Sequence, residues 1–387
     1  MSNTTSTPRI AVIGAGPGGL TCARILQQHG IAVTVHDLDA SGSARAQGGT
    51  LDMQADSGQR ALRAAGLLDR FHALARPEGQ RVRLLDRDAT VLFDAAPGIE
   101  EGYKPEIDRG RLRGLLLDSL APATVRWGQK LTSATPLGDG THRLDFADGT
   151  STVVDLVIGA DGAWSRVRRL LSDAIPRYTG VTFVETGLDD ADTRHPELAA
   201  LVGDGSMMAL ADSKGLVAQR NSDHHIRVYA GLRIDRDWCE SLDMDDPEAV
   251  REALCGHFTG WSPALLRLIT DSDGGFVNRP LFALPVPHTW TSTPGVTLLG
   301  DAAHLMSPFS GMGANLAMMD AAELAERIAA EVNLDDAVKA YEAVMLPRAA
   351  EAAEGAAEGL DSAFAPDSTA HALQHMTAFA REHQGAR

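Results

Sequence analysis

Apolar residues recur along this chain with two periods. Arg9–Ile13 is a β-branched run and Ile31–His36 alternates, both with period two, while Pro17–His29 between them has helical spacing. Strand, helix and strand from Arg9 to His36 predict a βαβ unit. Ala55–Leu68 reads as a helix with Gly66 near its end, and Arg81–Phe93 as two strands joined at Asp86–Asp88. Arg109–Leu120 reads as an amphipathic helix. Val125–Leu131 and His142–Phe146 alternate, with a turn at Gly138–Gly140. Val153–Ile158 is a continuous apolar run, the pattern of a buried central strand.

The pattern changes from about Tyr178 to Leu232. Val181–Glu185, Ser206–Ala211, Gly215–Gln219 and His225–Leu232 are short and strand-like, and predict an inserted antiparallel sheet. Pro247–Phe258 and Ala264–Ile269 read as helices. Val296–Leu299 returns to a buried strand, followed by a helix over Gly313–Glu331. Asp335–Phe364 predicts one long helix with a possible break near Pro347, and Ser368 starts a final helix. No internal repeat stands out.

Composition narrows the class. The 387 residues are 44% hydrophobic and 22% charged, which excludes a disordered or collagen-like chain. No run of 18 apolar residues occurs, so no membrane span is expected. Lys+Arg number 35 against 52 Asp+Glu, a net charge of −17 that repels phosphate backbones and argues against nucleic acid as a partner. Three scattered cysteines, Cys22, Cys239 and Cys255, form neither a disulfide framework nor a zinc pattern, and no metal is expected. Met1–Pro8 is polar and lacks the apolar core of a signal peptide, so the expected location is cytoplasmic.

Three motifs carry chemistry. The first is Gly14-Ala-Gly16-Pro-Gly-Gly19 between strand and helix, with Asp37 at the end of the second strand. Glycines let a backbone approach a pyrophosphate, the helix N-terminus supplies N–H donors, and the acid suits a ribose hydroxyl. Together they predict dinucleotide binding and leave NAD and FAD unseparated. The second is Asp155-Leu-Val-Ile-Gly-Ala-Asp161-Gly162-Ala-Trp-Ser165-Arg-Val-Arg168, a strand running into a turn and a helix start capped by Ser165. In the third, Gly300-Asp301-Ala-Ala-His304 leads through Pro308 to Gly311-Met312-Gly313-Ala314-Asn315 and a helix containing Asp320. Such a loop can aim backbone N–H groups at an anion. His304 reads as a packed structural residue rather than a base. His224 and His225 are too isolated for a metal site.

The three motifs, in this order, resemble the FAD-dependent single-component aromatic hydroxylases over Arg9 to Phe364. The resemblance implies an α/β fold: a doubly wound FAD-binding domain of the glutathione-reductase type, an inserted antiparallel-sheet substrate domain, and C-terminal helices. The expected boundaries are 1–175 and 286–330 for the FAD-binding domain, 176–285 for the substrate domain and 331–387 for the helical end. It also implies FAD as cofactor and NADPH as cosubstrate. One atom of O₂ would be inserted, through a flavin C4a-hydroperoxide, into a multi-ring phenolic or enolic small molecule. A monomer is expected.

Ala44-Arg45-Ala-Gln-Gly48-Gly49-Thr50-Leu51-Asp52-Met53 and Pro105-Glu-Ile-Asp-Arg109-Gly-Arg-Leu-Arg113 look like the tetracycline-inactivating monooxygenases of the TetX type. That likeness implies Arg45 beside flavin and NADPH, Asp52 and Arg113 in contact with FAD, and Asp301 on the ribityl chain. Asp161 and Pro308 join the cofactor set, and the backbone of Gly311–Asn315 would stabilise charge at the flavin pyrimidine. Phe282, Met306, Pro308, Phe309 and Met312 are expected as apolar walls, with Arg220 or Arg227 facing an anionic enolate. Two departures stand out. Leu38 follows the strand-2 acid where the family often has Arg, and Arg227 falls where the tetracycline enzymes have a histidine.

Overall fold

The computed structural model describes residues 8–45, 47–95 and 103–384. Its central sheet is parallel, in the order Val296–Leu298, Leu156–Gly159, Ile10–Ile13, Val33–His36, Val125–Arg126. Ile10–Ile13 is buried along its whole length, as an inner parallel strand must be. The Pro17–Gln28 helix lies on this sheet and packs against the Gly313–Ala330 helix. The first and third motifs therefore meet at the carboxyl ends of two strands separated only by Leu156–Gly159, the end at which open α/β sheets bind ligands.

Two expected elements are divided. The Val153–Ile158 run is two strands in two sheets. Ser151–Val154 belongs to a three-stranded antiparallel sheet and Leu156–Gly159 to the parallel one. Asp155 makes the switch, its carboxylate bound to the backbone N–H and the guanidinium of Arg9 at 2.7–3.0 Å. The Ala55–Leu68 helix is shorter than expected, covering Gly58–Ala64. Gly66 turns the chain at φ +66°, and a second helix follows at Leu68–His72.

The second sheet has seven strands, in the order Val277–Ala283, Arg177–Leu188, Ile226–Arg233, Lys214–Arg220, Ser206–Ala211, Val82–Leu85, Val91–Ala95. Its one parallel pairing joins Ser206–Ala209 to Val82–Leu85. One face, carrying Val184, Val228, Leu216 and Met207, is covered by the helices Pro196–Val202, Pro247–His257 and Pro263–Thr270. The opposite face carries Val181, Phe183, Tyr229 and Leu210 and packs against Phe309 and Phe364. This second face looks toward the Gly311 motif.

The Leu334–Ala363 helix runs through Pro347 without a break. Its Tyr341 hydroxyl donates to the Leu298 carbonyl at 2.9 Å, and Glu342 accepts from Trp290 and Thr297, which tie it to the last parallel strand. The Ser368–Gln384 helix lies across the strands Ser206–Ala211, Val82–Leu85 and Val91–Ala95. Among the described residues no helix is long and apolar enough to cross a membrane.

Candidate functional site

The dinucleotide loop is built by exclusion. A Cβ on Gly14, whose φ is +110°, would lie 2.2 Å from the Ala160 carbonyl oxygen, and one on Gly19 would lie 2.1 Å from the Gly14 oxygen. These two positions close the strand–helix packing. Gly16, which caps the helix, meets nothing within 4 Å, so its open side is where a diphosphate can approach. The Asp37 carboxylate accepts the N–H of Ala15 at 2.6 Å and of Asp39 at 2.8 Å, which fixes it beside the loop.

Asp39 is a member of this site that the motif did not disclose. It accepts from Arg113 at 3.2 Å and from Arg45 at 3.1 Å. Arg113, 3% exposed, also donates to the carbonyls of Ala15 and Gly42 and lies over the Trp127 ring. Two arginines implied to contact the cofactor are thus held by one carboxylate beside the first glycine. The Arg45 side chain remains largely exposed. Leu38 between the two acids is 64% exposed.

The Gly311 motif forms the other wall. Gly311 takes the left-handed conformation at φ +66°, and its pro-Cβ direction points at the Asp52 carboxylate 3.5 Å away. Asp52 pairs with Lys104 at 3.3 Å. Asn315 is 1% exposed, and its amide is spent on protein. It accepts from Gln54 and Gly58 N–H and donates to the Asp52 carbonyl. Gly313 begins an 18-residue helix whose first-turn N–H groups carry its positive end. Met306 and Met312 pack toward the Leu334–Ala363 helix, while Phe309 faces the second sheet.

Asp161 caps its own turn. Its carboxylate accepts from the Ser165 hydroxyl at 2.5 Å and the Arg166 N–H at 2.7 Å, so the acid four residues earlier shares the cap expected of Ser165. Burial pushes the Asp161 carboxyl up, and these donors pull it back. Ser165 in turn accepts from Arg168 N–H. The buried Arg168 guanidinium donates to the carbonyls of Ala302, Asp301 and Ala163 at 2.7–2.9 Å, joining the second motif to the third. Asp301 itself is exposed at the groove.

His304 is structural. Its Nε2 lies 2.6 Å from Asp320, which also accepts from Gly300 N–H and from Arg348 of the C-terminal helix. Burial disfavours the imidazolium, and the Asp320 charge outweighs it, so the His304 pKa is raised.

On the second sheet, Phe183, Tyr229, Phe309 and Phe364 form one aromatic cluster with centroids 5.6–6.2 Å apart. A Cβ on Gly49 would lie 2.7 Å from the Tyr229 hydroxyl, which brings the Arg45–Met53 segment against this face. Arg227 shares the face and is ion-paired to Glu185. Arg220 does not share it. It lies on the helix-covered side with Leu216 and Ala218 and pairs with Asp192 at 2.8 Å. Phe282 packs on Trp164 and Tyr178, and its neighbour Leu281 joins the Phe183–Phe309 cluster. Burial and the Glu185 charge raise the Tyr229 phenol.

A glycine cradle at a parallel switch point, an Asp-led second loop and an aromatic sheet face beside the Gly311 motif are the parts of an FAD-dependent monooxygenase. The family model described as an FAD binding domain matches residues 7–261 and 286–356, and the chain belongs to that family. Monooxygenase penA of Penicillium thymicola is 33% identical over 407 residues, covering 90% of this chain and 93% of its own. The 3-amino-4-hydroxybenzoate 2-monooxygenase PtnB3 of Streptomyces platensis is 33% identical over 353 residues, covering 90% and 86%. Among solved structures, tetracycline destructase Tet(55) superposes with a TM-score of 0.75 at 22% identity, covering 98% of this chain and 97% of its own, a likeness of fold. FAD is the cofactor, NADPH is the reductant typical of the family, and the substrate is a small molecule.

Proposed function

We propose that this monooxygenase hydroxylates a multi-ring phenolic or enolic compound, with tetracyclines the first class to test and aromatic polyketides the second. The supporting observation is the aromatic cluster of Phe183, Tyr229, Phe309 and Phe364 facing the Gly311 motif. Tyr229 and Phe309 are its partly exposed rings, backed from the core by the buried Phe183 and Phe364, and offer an edge for fused rings. The Arg45–Met53 and Pro105–Arg113 likeness to tetracycline-inactivating enzymes points the same way.

In this reading Gly14, Gly16, Gly19 and Asp37 hold the adenosine diphosphate part of FAD. Arg113, Asp301 and Pro308 line its middle, and Arg45, Asp52 and the Gly311–Asn315 backbone surround the ring. Asp161 acts at one remove by shaping the loop on which Arg168 sits. Bound FAD supplies the redox chemistry and activation of O₂. The chain's residues position and exclude. Asn315 locks the Asp52 loop, the Gly313 helix start offers positive dipole to developing charge, and Phe309 with Phe364 keeps water from the cleft.

The test is aerobic NADPH consumption by the FAD-loaded protein with a tetracycline panel under ¹⁸O₂. Drug-stimulated consumption and a product carrying one labelled oxygen support the reading. Stimulation by none of the tetracyclines, with oxygenated product from a fused-ring phenol, moves the assignment to the polyketide class. A flavoprotein that oxygenates neither class overturns it.

A further inference from the structure

We infer that the Glu106 carboxyl takes up one proton from solvent when FAD bound beside the Gly311 motif is reduced, so that this residue sets part of the flavin potential. The inference rests on the placement of the flavin ring at Gly311–Asn315 and not on the identity of the substrate.

It starts from a two-stranded ribbon. Thr50–Asp52 pairs antiparallel with Glu106–Asp108, Thr50 opposite Asp108 and Asp52 opposite Glu106. Leu51 and Ile107 belong to the core, so the four polar side chains share the other face. Directly opposed residues have their Cβ atoms about 5 Å apart. Two carboxyls therefore stand side by side, and Asp52 is the one that lies 3.5 Å from the pro-Cβ position of Gly311.

The cations on this face distinguish the two acids. Lys104 pairs with Asp52 at 3.3 Å and Arg76 with Asp108 at 3.4 Å. Glu106 has no ion pair among the described residues. The Thr50 hydroxyl donates to it at 2.5 Å and itself accepts from Arg76 at 3.2 Å. A Cβ on Gly79 would lie 2.8 Å from the Glu106 Cβ, so the bare Gly79 backbone covers the side chain. From the second sheet only the neutral Asn221 and Ser222 approach, both on Asp108. Glu78, Arg109 and Arg111 nearby in the chain are exposed to solvent. A covered carboxyl next to a like charge, with no cation of its own, holds its proton to higher pH than an ordinary one. Burial lifts its pKa to about 7, with Thr50, Arg76 and Lys104 opposing.

Reduction places new charge on the far side of Asp52. A hydride from NADPH, two electrons with one proton, leaves NADP⁺ behind and makes the flavin an anion. Glu106 answers by binding one solvent proton, its carboxylate becoming a carboxylic acid, with no other bond made or broken. Unit charges up to about 12 Å apart, at an effective dielectric of about 20, change a proton affinity about tenfold. The coupling is reciprocal, so an ionised Glu106 opposes reduction and a protonated one does not.

The experiment poises the FAD-loaded enzyme anaerobically against reference dyes and reads the flavin midpoint potential from the visible spectrum between about pH 5.5 and 9.5. Wild type and Glu106→Gln are expected to share one potential at the acid end, where both side chains are neutral. By about pH 9 the wild type should lie about 30 mV below the variant, which is a tenfold change in proton affinity expressed for a two-electron couple. Other groups that titrate with the flavin, His304 among them, act on both proteins and cancel in the difference. Thr50→Val removes the hydrogen bond that favours the carboxylate, so the extra slope should begin at higher pH than in wild type, which decides the matter by itself if Glu106→Gln loads no FAD. Potentials that coincide at every pH, an offset that is constant across the range, or an extra slope unmoved by Thr50→Val overturns the inference. Neither O₂ nor a substrate enters this measurement, so it can fail while the ¹⁸O₂ assay succeeds, and the reverse.

Discussion

Asn315 and Asp52 stand 263 positions apart in the chain, and the Asn315 amide donates to the Asp52 carbonyl at 2.8 Å. The other end of the same amide accepts from Gln54 and Gly58. One buried side chain thus joins the Gly311 motif to the Arg45–Met53 segment. Asn315→Ala takes this partner from two backbone donors and from the carbonyls of Asp52 and Gly311, a cost of about 1–3 kcal/mol for each group left unpaired before relaxation. The expected result is a lower melting temperature and FAD affinity weakened at least tenfold, read by thermal scanning and flavin titration. Unchanged FAD affinity would count against the clamp.

Gly14→Ala should abolish the yellow colour. The added methyl would sit 2.2 Å from a backbone oxygen at a φ that L side chains rarely adopt. The ratio of flavin to protein absorbance in the purified variant is the measurement, with at least a tenfold drop expected. Gly16→Ala, where no protein atom lies within 4 Å, should fold normally and lose only cofactor affinity.

Glu106 should make the enzyme less stable as pH rises. It sits beside Asp52, and burial raises its pKa to about 7 from 4.5, with Thr50, Arg76 and Lys104 opposing. The folded chain therefore binds its proton more tightly than the unfolded one. Stability falls as pH climbs from 4.5 through 7. Glu106→Gln should flatten that part of the profile and gain about 1–3 kcal/mol at pH 8 in denaturant melts, with little change at pH 4.5. A wild-type profile flat across this window refutes the assignment.

His304 contributes in the same direction for another reason. Its pKa is raised above the ordinary 6.5 because Asp320 outweighs burial. A raised histidine adds stability that is complete below 6.5 and is lost as pH passes the folded value. His304→Gln should remove that slope and loosen Gly300, whose N–H shares the Asp320 carboxylate. Urea melts between pH 5.5 and 9 distinguish this slope from that of Glu106, because the two variants act independently.

Arg45→Ala should leave folding intact, since the Arg45 side chain is largely exposed and such pairs contribute at most about 1 kcal/mol. Its effect is expected in the KM for NADPH, raised about tenfold, with FAD content unchanged. Steady-state kinetics at fixed substrate provide the check.

What the sequence could disclose follows from how local each feature is. The Gly14–Gly19 turn, its strands and Asp37 depend on neighbours in sequence, and they were legible. The helix through Pro347 and six of the seven strands of the second sheet were legible for the same reason, while the strand Val277–Ala283 was not read. The break at Asp155 was not, because the residues on either side are equally apolar, and only the distant Arg9 makes Asp155 a switch. Gly66 was visible, but not that it ends one helix and starts another. Asp39 showed no motif, and its role comes from Arg113, 74 residues on. The one available signal was a second acid two positions after Asp37. Phe282 was expected at the wall because it is a large aromatic, but strand parity gives that place to Leu281, and Arg220 is turned from the face by the same parity.

The hairpin of Val82–Leu85 and Val91–Ala95 completes a sheet whose other strands arise a hundred residues later. Specificity in this scaffold is therefore not a detachable cassette. A chimera that exchanges only 177–283 with a relative would strand the Ser206–Ala211 edge against a foreign partner, with mismatched side chains on both faces. Exchange of substrate range should succeed only when both pieces travel together, so recombination has to cut this chain at four points instead of two.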